Sequence, residues 1–181
     1  SPARAADAAP AVLVYGAVIV TAGPAGERRI PLDGFFVRSG VTTLEPGELV
    51  VAIELPMPSG PTGSAHERRT RRRGHDLASV TVAALLDGSP VTRLAYGSVG
   101  PRPVLVLHES GVLAGPASSD EDRAAALEAM LADARPSPTS LRASPAYRLA
   151  MLRVHALRAV RRAAERLAAA EAGAGAGGEA G

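Results

Sequence analysis

Residues 68–86 read RRTRRRGHDLASVTVAALL, and the fold turns on how this stretch divides. Arginines crowd its start, Gly74-His75-Asp76 interrupts it, and an apolar run rich in Val and Ala completes it. The pattern predicts a basic strand, a tight turn and a buried strand. Val80, Val82 and Ala84 alternate with Ser79, Thr81 and Ala83, a two-residue period with small side chains on the second face. Asp87-Gly88 has hairpin-turn chemistry, and Val91–Val99 is the predicted returning strand.

On the C-terminal side the period changes. Asp120–Ala134 carries acids in its first turn, as a helix N-terminus favours, and puts Leu127, Met130, Leu131 and Ala134 on one face. Pro136 and Pro138 end it. Ser144-Pro145 then supplies an N-cap and a first-turn proline, and Tyr147–Ala170 runs on without a breaker. Leu149, Leu152, Leu157, Val160 and Leu167 mark its apolar stripe. The Gly/Ala-rich residues 171–181 are expected to be a disordered tail.

On the N-terminal side, Ala11–Thr21 predicts a short helix end or loop followed by a strand at about 17–22. A Gly/Pro turn and a partner strand over Glu27–Pro31 come next. Leu32–Phe36 reads as one helical turn carrying both phenylalanines as a local plug. Glu45-Pro46-Gly47-Glu48 is a turn signal, and Leu49–Leu55 is a strand stopped by Pro56. The Pro/Gly/Ser-rich stretch 57–63 reads as a linker. The fold class expected is therefore α+β, in two parts: residues 1–60, then a sheet-and-helix domain over 64–170.

Composition bounds the chemistry. The chain has 181 residues, 46% hydrophobic but only 3% aromatic, so its core must be built from Ala, Val and Leu. Every side chain of the Lys/Arg class is Arg, and Lys, Asn and Gln are absent. Because guanidinium stays charged throughout the working pH range, the pI is about 9.6 at a net charge of only +2. Absence of cysteine removes disulfides, thiolate zinc sites, iron–sulfur ligation and thiol nucleophiles. No apolar run reaches the ~18 residues of a membrane span. No basic region followed by an apolar core marks a leader, and the expected location is cytoplasmic.

Candidate sites stay open on local evidence. The arginine run suits phosphate oxygens or nucleic acid, or equally a charged edge strand facing solvent. Aromatic stacking platforms for nucleic acid are lacking. Asp76 sits at a turn, where a carboxylate often caps backbone N–H groups. His66, His75, His108 and His155 show no metal-ligand spacing, and no serine lies in a nucleophile-elbow context. No residue is assigned a catalytic or a metal role.

Six segments, taken in order, resemble the FAD-binding (medium) subunit of the molybdenum hydroxylases, the xanthine dehydrogenase, carbon monoxide dehydrogenase and aldehyde oxidase family. They are SPARAADAAPAVLVYGAVIV, RRIPLDGFF, TTLEPGELVVAIELP, RRTRRRGHDLASVTVAALL, LAYGSVGPRPV and LRASPAYRLAMLRVHALRAV. The resemblance implies the C-terminal part of an α/β FAD-binding domain over 1–60. A small antiparallel sheet packed with helices, the C-terminal domain of the carbon monoxide dehydrogenase flavoprotein, would follow over 64–170. It implies FAD as cofactor, with molybdopterin and 2Fe-2S clusters in partner subunits, a large and a small one. Electrons would pass from the clusters through the flavin to an external acceptor. It places Asp7 near the FAD phosphates and sugar, Leu49 or Val50 against the flavin region, Arg68 at a basic position contacting FAD, and Asp76 near the isoalloxazine ring. The family's two glycine loops for the pyrophosphate would precede Ser1-Pro2. A C-terminal fragment is thus expected, or half of a split subunit whose loops come from a separate chain, with weak or no FAD binding alone. The alternative is an assembly module that has lost its flavin. No nucleic-acid partner is expected.

Overall fold

The computed structural model describes residues 7–72, 76–115 and 118–177. The predicted turn at Gly74-His75 and residues 178–181 lie outside them.

The central strand is β7 (Val80–Leu86), in which all seven residues are buried. It pairs antiparallel with β6 (Gly63–Arg69) on one side and β8 (Thr92–Gly97) on the other, and β9 (Val104–His108) completes a four-stranded sheet in the order β6-β7-β8-β9. The hairpin turn between β7 and β8 contains Gly88 at φ 77°, where the sequence placed Asp87-Gly88. The strand β9, flanked upstream by Pro101 and Pro103, is an addition to the three strands expected over 66–99.

Two-residue periodicity explains how β7 serves two cores. Val80, Val82, Ala84 and Leu86 face one way, against Leu94, Tyr96 and the helices α3 (Asp120–Leu131) and α4 (Pro145–Gly177). Ala83 and Leu85 face the other, with Ala95, into a cluster containing Leu13, Val14, Ala17, Ile19, Leu32 and Phe35. An antiparallel sheet often leaves one face wet; this one is covered on both. Fully burying a Val or Leu side chain contributes roughly 1.5–3 kcal/mol, so a seven-residue strand without an exposed position is the main apolar anchor.

The N-terminal part supplies the second cover. Helix α1 (Ala9–Leu13) packs on β7 and β8, and β1 (Val18–Gly23) lies between β2 (Gly26–Pro31) and β5 (Leu49–Glu54) in an antiparallel three-stranded sheet. The one-turn α2 (Leu32–Phe35) buries Phe35, whose ring meets Phe36 edge-on at a centroid distance of 5.2 Å. A short hairpin of β3 (Phe36–Arg38) and β4 (Val41–Thr42) follows.

Both long helices begin as their sequences require. The Ser119 hydroxyl accepts from the Asp122 amide at 3.0 Å and Asp120, Glu121 and Asp122 fill the first turn of α3. The Ser144 hydroxyl accepts from the Tyr147 amide at 3.2 Å at the start of α4. The buried stripe of α4 is Leu152, Ala156, Ala159, Val160, Ala163 and Leu167, with Leu149 and Leu157 only partly buried beside it. Alanine thus does half the work that the sequence reading assigned to leucine. The helix also runs to Gly177, seven residues into the stretch expected to be a disordered tail. Ala172 and Ala174 are strong helix formers and extend a helix already nucleated by tertiary packing.

Small residues let α4 lie directly on the sheet edge. A Cβ on Gly63 would collide with the Ala163 carbonyl oxygen and the Leu167 backbone nitrogen. Further along, Glu67 of β6 is buried beside His155, whose Nδ1 lies 3.2 Å from the carboxylate, and Arg162 donates to the same group. Arg166 donates to the Ser64 carbonyl at 2.5 Å. Gly63→Ala should therefore destabilise the chain by about 3 kcal/mol or more through overpacking. Gly60→Ala, whose new methyl meets nothing within 4 Å, should be close to neutral. Urea denaturation of the two variants checks this pair.

Candidate functional site

Strand parity sorts the arginines. In the β6–β7 ladder Arg68 stands opposite Thr81, His66 opposite Ala83 and Ser64 opposite Leu85. Directly opposed residues share a face, so Arg68, His66 and Ser64 lie on the face that α1 covers. Arg69 takes the opposite face and donates to the Tyr147 hydroxyl at 2.9 Å. Arg71, just past the strand, donates from its backbone and side chain to Asp76, at 3.1 and 3.4 Å. These three arginines of the run are thus engaged within the chain; Arg73 lies outside the described residues.

Three of the five residues singled out from the sequence meet. The Arg68 guanidinium donates to Asp7 Oδ2 at 2.7 Å and to the Asp76 carbonyl oxygen at 2.6 Å. The Ala78 amide donates to the same Asp7 oxygen at 3.4 Å, and His66 Nε2 lies 3.0 Å from the Asp7 carbonyl oxygen. Asp7 sits just before α1, so its position depends on how closely that helix approaches the sheet. At Gly97 a Cβ would lie 2.7 Å from Thr81 Oγ1 and 3.3 Å from Pro10. Glycine there, in the AYGSVG segment, lets the α1 segment close down and carry Asp7 to Arg68.

Electrostatics favour the charged form of the Asp76 carboxyl. Burial opposes ionisation of the Asp76 carboxyl, but hydrogen bonds from the Arg71 side chain and amide, with the charges of Arg71 and Arg72, outweigh it and lower its pKa. The Asp7–Arg68 pair is partly exposed, so its contribution to stability is small.

Leu49 and Val50 stand elsewhere. They begin β5, in the other sheet, and are 70% and 44% exposed. What fixes them is a clasp that the sequence did not reveal. Arg28 of β2 forks onto Glu48, donating at 2.7 Å to each carboxylate oxygen, and reaches Glu45 at 3.1 Å and the Thr43 carbonyl at 3.1 Å. Glu48 also accepts from the Glu45 amide at 2.7 Å and from Thr21 at 3.2 Å. The PGEL turn is thereby tied to β1 and β2, and β5 starts from a fixed point. Its only sequence signal is an acid after a Pro-Gly turn, which reveals no partner.

A buried arginine was equally invisible from spacing. Arg148, near the start of α4, donates to the Ser98 carbonyl at 2.5 Å and to the Ser140 hydroxyl. It fixes the loop after β8 to the helix, and Ser98 there has φ 67°. A cavity of about 360 Å³ lies under residues 56–62 beside Tyr15, Asp87 and Arg93, away from the Asp7–Arg68–Asp76 cluster. No helix is long and apolar enough to cross a membrane among the described residues.

Residues 66–163 match the model of the CO dehydrogenase flavoprotein C-terminal domain, and residues 1–58 that of the FAD binding domain in molybdopterin dehydrogenase. The chain belongs to the CO dehydrogenase flavoprotein family. It is 32% identical over 155 residues to the xanthine dehydrogenase FAD-binding subunit of Escherichia coli O157:H7, covering 83% of this chain and 53% of that one. It is 33% identical over 136 residues to the carbon monoxide dehydrogenase medium chain of Hydrogenophaga pseudoflava, covering 73% and 47%. Among solved structures, carbon monoxide dehydrogenase from H. pseudoflava superposes with a TM-score of 0.77 at 31% identity, over 91% of this chain and 58% of that one. Quinoline 2-oxidoreductase from Pseudomonas putida 86 superposes with a TM-score of 0.73 at 25% identity, over 91% and 57%. The chain spans about half the length of the curated relatives it matches.

The cluster is chemically suited to a flavin dinucleotide. The second carboxylate oxygen of Asp7, Oδ1, is buried and has no hydrogen-bond partner among the described residues, an acceptor suited to a ribose hydroxyl or a ring N–H. Arg68 beside it is half exposed and suits an anionic group.

The Glu48 clasp makes a prediction about acid. The Arg28 hydrogen bonds first, then the Glu45 amide, pull the Glu48 pKa from the ordinary glutamate range down to about 2. A lowered folded-state pKa gives stability that is present above the ordinary value and lost as pH falls toward the folded one. Thermal midpoints should therefore drop between about pH 4.5 and 2. Glu48→Gln should be less stable at neutral pH and should lose this component of the slope. Identical slopes in the two proteins would show that the clasp is not its source.

Proposed function

We propose that this chain is part of the flavin-carrying subunit of a molybdenum hydroxylase and serves to pass electrons from a partner's iron–sulfur clusters to an external acceptor. The observation that carries this reading is the convergence of Asp7, Arg68 and Asp76 at one point of the fold. Its partners would be a molybdopterin-binding large subunit and an iron–sulfur small subunit. FAD, when bound, supplies the two-electron redox chemistry.

The chain's own residues would then hold and bias the cofactor. Arg68 is a fixed cation, oriented from two sides by Asp7 and the Asp76 carbonyl, so little rotamer freedom remains to be lost on binding. A cation within reach of the ring favours the negative charge that arrives with electrons, which tunes the potential without making a bond. Asp7 Oδ1 would accept from a cofactor hydroxyl or N–H. Leu49 and Val50 would contribute apolar contact.

A second reading, a docking module that no longer holds FAD, is favoured by one observation: Arg68 already has a carboxylate partner in Asp7. Flavin affinity of the complex isolated through this chain separates the two. On the first reading Arg68→Met weakens FAD binding about tenfold or more, the scale of a lost charge-assisted hydrogen bond, and leaves the thermal midpoint nearly unchanged. On the second, the isolated complex contains no flavin with either side chain.

A further inference from the structure

Strand β6 turns three polar side chains toward the segment that carries α1. Ser64, His66 and Arg68 alternate along the strand and share one face, opposite Leu85, Ala83 and Thr81 of β7. Each of them holds the α1 segment. The Ser64 hydroxyl pairs with the Tyr15 hydroxyl at 2.7 Å, just past the C-terminal end of the helix. Arg68 donates to the Asp7 carboxylate before its N-terminal end, and His66 Nε2 lies 3.0 Å from the Asp7 carbonyl oxygen. Three rungs thus join β6 to the α1 segment, and His66 is the middle one.

The middle rung differs in kind. On the α1 segment the other two end on side chains, which can turn about their own bonds. His66 grips main chain. A carbonyl oxygen only accepts, so this bond exists only with a proton on Nε2. Helix α1 does not fix Asp7 by itself: Ala8 at its N-cap makes no side-chain cap hydrogen bond, and a helix of five residues is marginal on its own. The Asp7 carboxylate is held through Oδ2, by Arg68 at 2.7 Å and by the Ala78 amide at 3.4 Å, while Oδ1 is buried with no hydrogen-bond partner among the described residues. An anion that engages Arg68 competes with Oδ2 for the guanidinium. The His66 bond lies outside that competition and keeps the Asp7 backbone in place while the guanidinium is shared.

We propose that His66 is a positioning residue: by donating from Nε2 to the Asp7 carbonyl it holds the Asp7 carboxylate ready, beside Arg68, for a flavin dinucleotide. It acts through Asp7 and touches no cofactor itself. Order imposed on Asp7 beforehand need not be imposed on binding, which is how such a rung raises affinity. The proposal rests on reading the cluster as the flavin site, but the His66–Asp7 bond can be tested without flavin.

Two variants separate the donor from the ring. His66→Phe keeps a flat ring and removes the donor. His66→Gln supplies an amide N–H donor without an imidazole. The side chain is exposed, so both variants should keep the thermal midpoint. Amide hydrogen exchange of the purified chain reads Ala78, whose N–H bonds to Asp7. Exchange there should quicken about fivefold in His66→Phe, the scale of one hydrogen bond, and return to within about twofold of the parent in His66→Gln. The FAD dissociation constant of the complex isolated through this chain should follow the same order, about fivefold weaker with Phe and recovered with Gln. Unchanged Ala78 exchange in His66→Phe, or a Gln variant that behaves like Phe, would overturn the proposal. So would an FAD affinity indifferent to both substitutions. Absence of flavin with all three side chains sinks the cofactor reading instead, and Ala78 exchange then decides the positioning role alone.

Discussion

Close approach of backbone to backbone is the constraint on which the structure depends. The chain has almost no aromatic bulk with which to fill space, so its layers must come together over glycine and alanine. Gly63 lets α4 rest on the edge of the sheet, and Ala156, Ala159 and Ala163 keep the helix near it along its length. On the opposite face Gly97 admits Pro10 and the α1 segment. Between them β7 is sealed on both sides. Interiors packed this tightly have little room for an added methyl group.

The candidate site is a consequence of that packing. Arg68 lies on the α1 face because β6 pairs with β7 in one register, and a one-residue slip would exchange it with Arg69. Asp7 meets it because α1 lies close to the sheet. Asp76 completes the cluster through its backbone carbonyl, while its carboxylate is committed to Arg71. The second sheet is held by a different device, the bidentate Arg28–Glu48 fork, which carries the start of β5. Apolar closure orients the first set of residues and charge-assisted hydrogen bonding orients the second.

Much of this was legible in the sequence, and the exceptions share a cause. The alternation in SVTVAALL, the Asp87-Gly88 turn, the serine at the head of α4 and the acids at the head of α3 are local signals, and each appears where it was read. The resemblance of ordered segments supplied the family and pointed to Asp7, Arg68 and Asp76, which no spacing rule connects across 69 residues. What escaped was long-range or weakly patterned: the Glu48–Arg28 fork, the Glu67–His155–Arg162 cluster, the buried Arg148, the alanine stripe of α4 and the short strand β9 among prolines. A partner distant in sequence leaves no periodic trace. An alanine stripe scarcely differs in hydropathy from the Ala-rich flanks around it, and the same composition explains why α4 continues where a tail was expected.

The most direct measurement is the flavin content of the complex isolated through this chain from cells that also express the molybdopterin and iron–sulfur subunits. The account predicts one FAD per copy of this chain, dependent on Arg68. A complex with molybdopterin and iron–sulfur clusters in full amount but no flavin would contradict it.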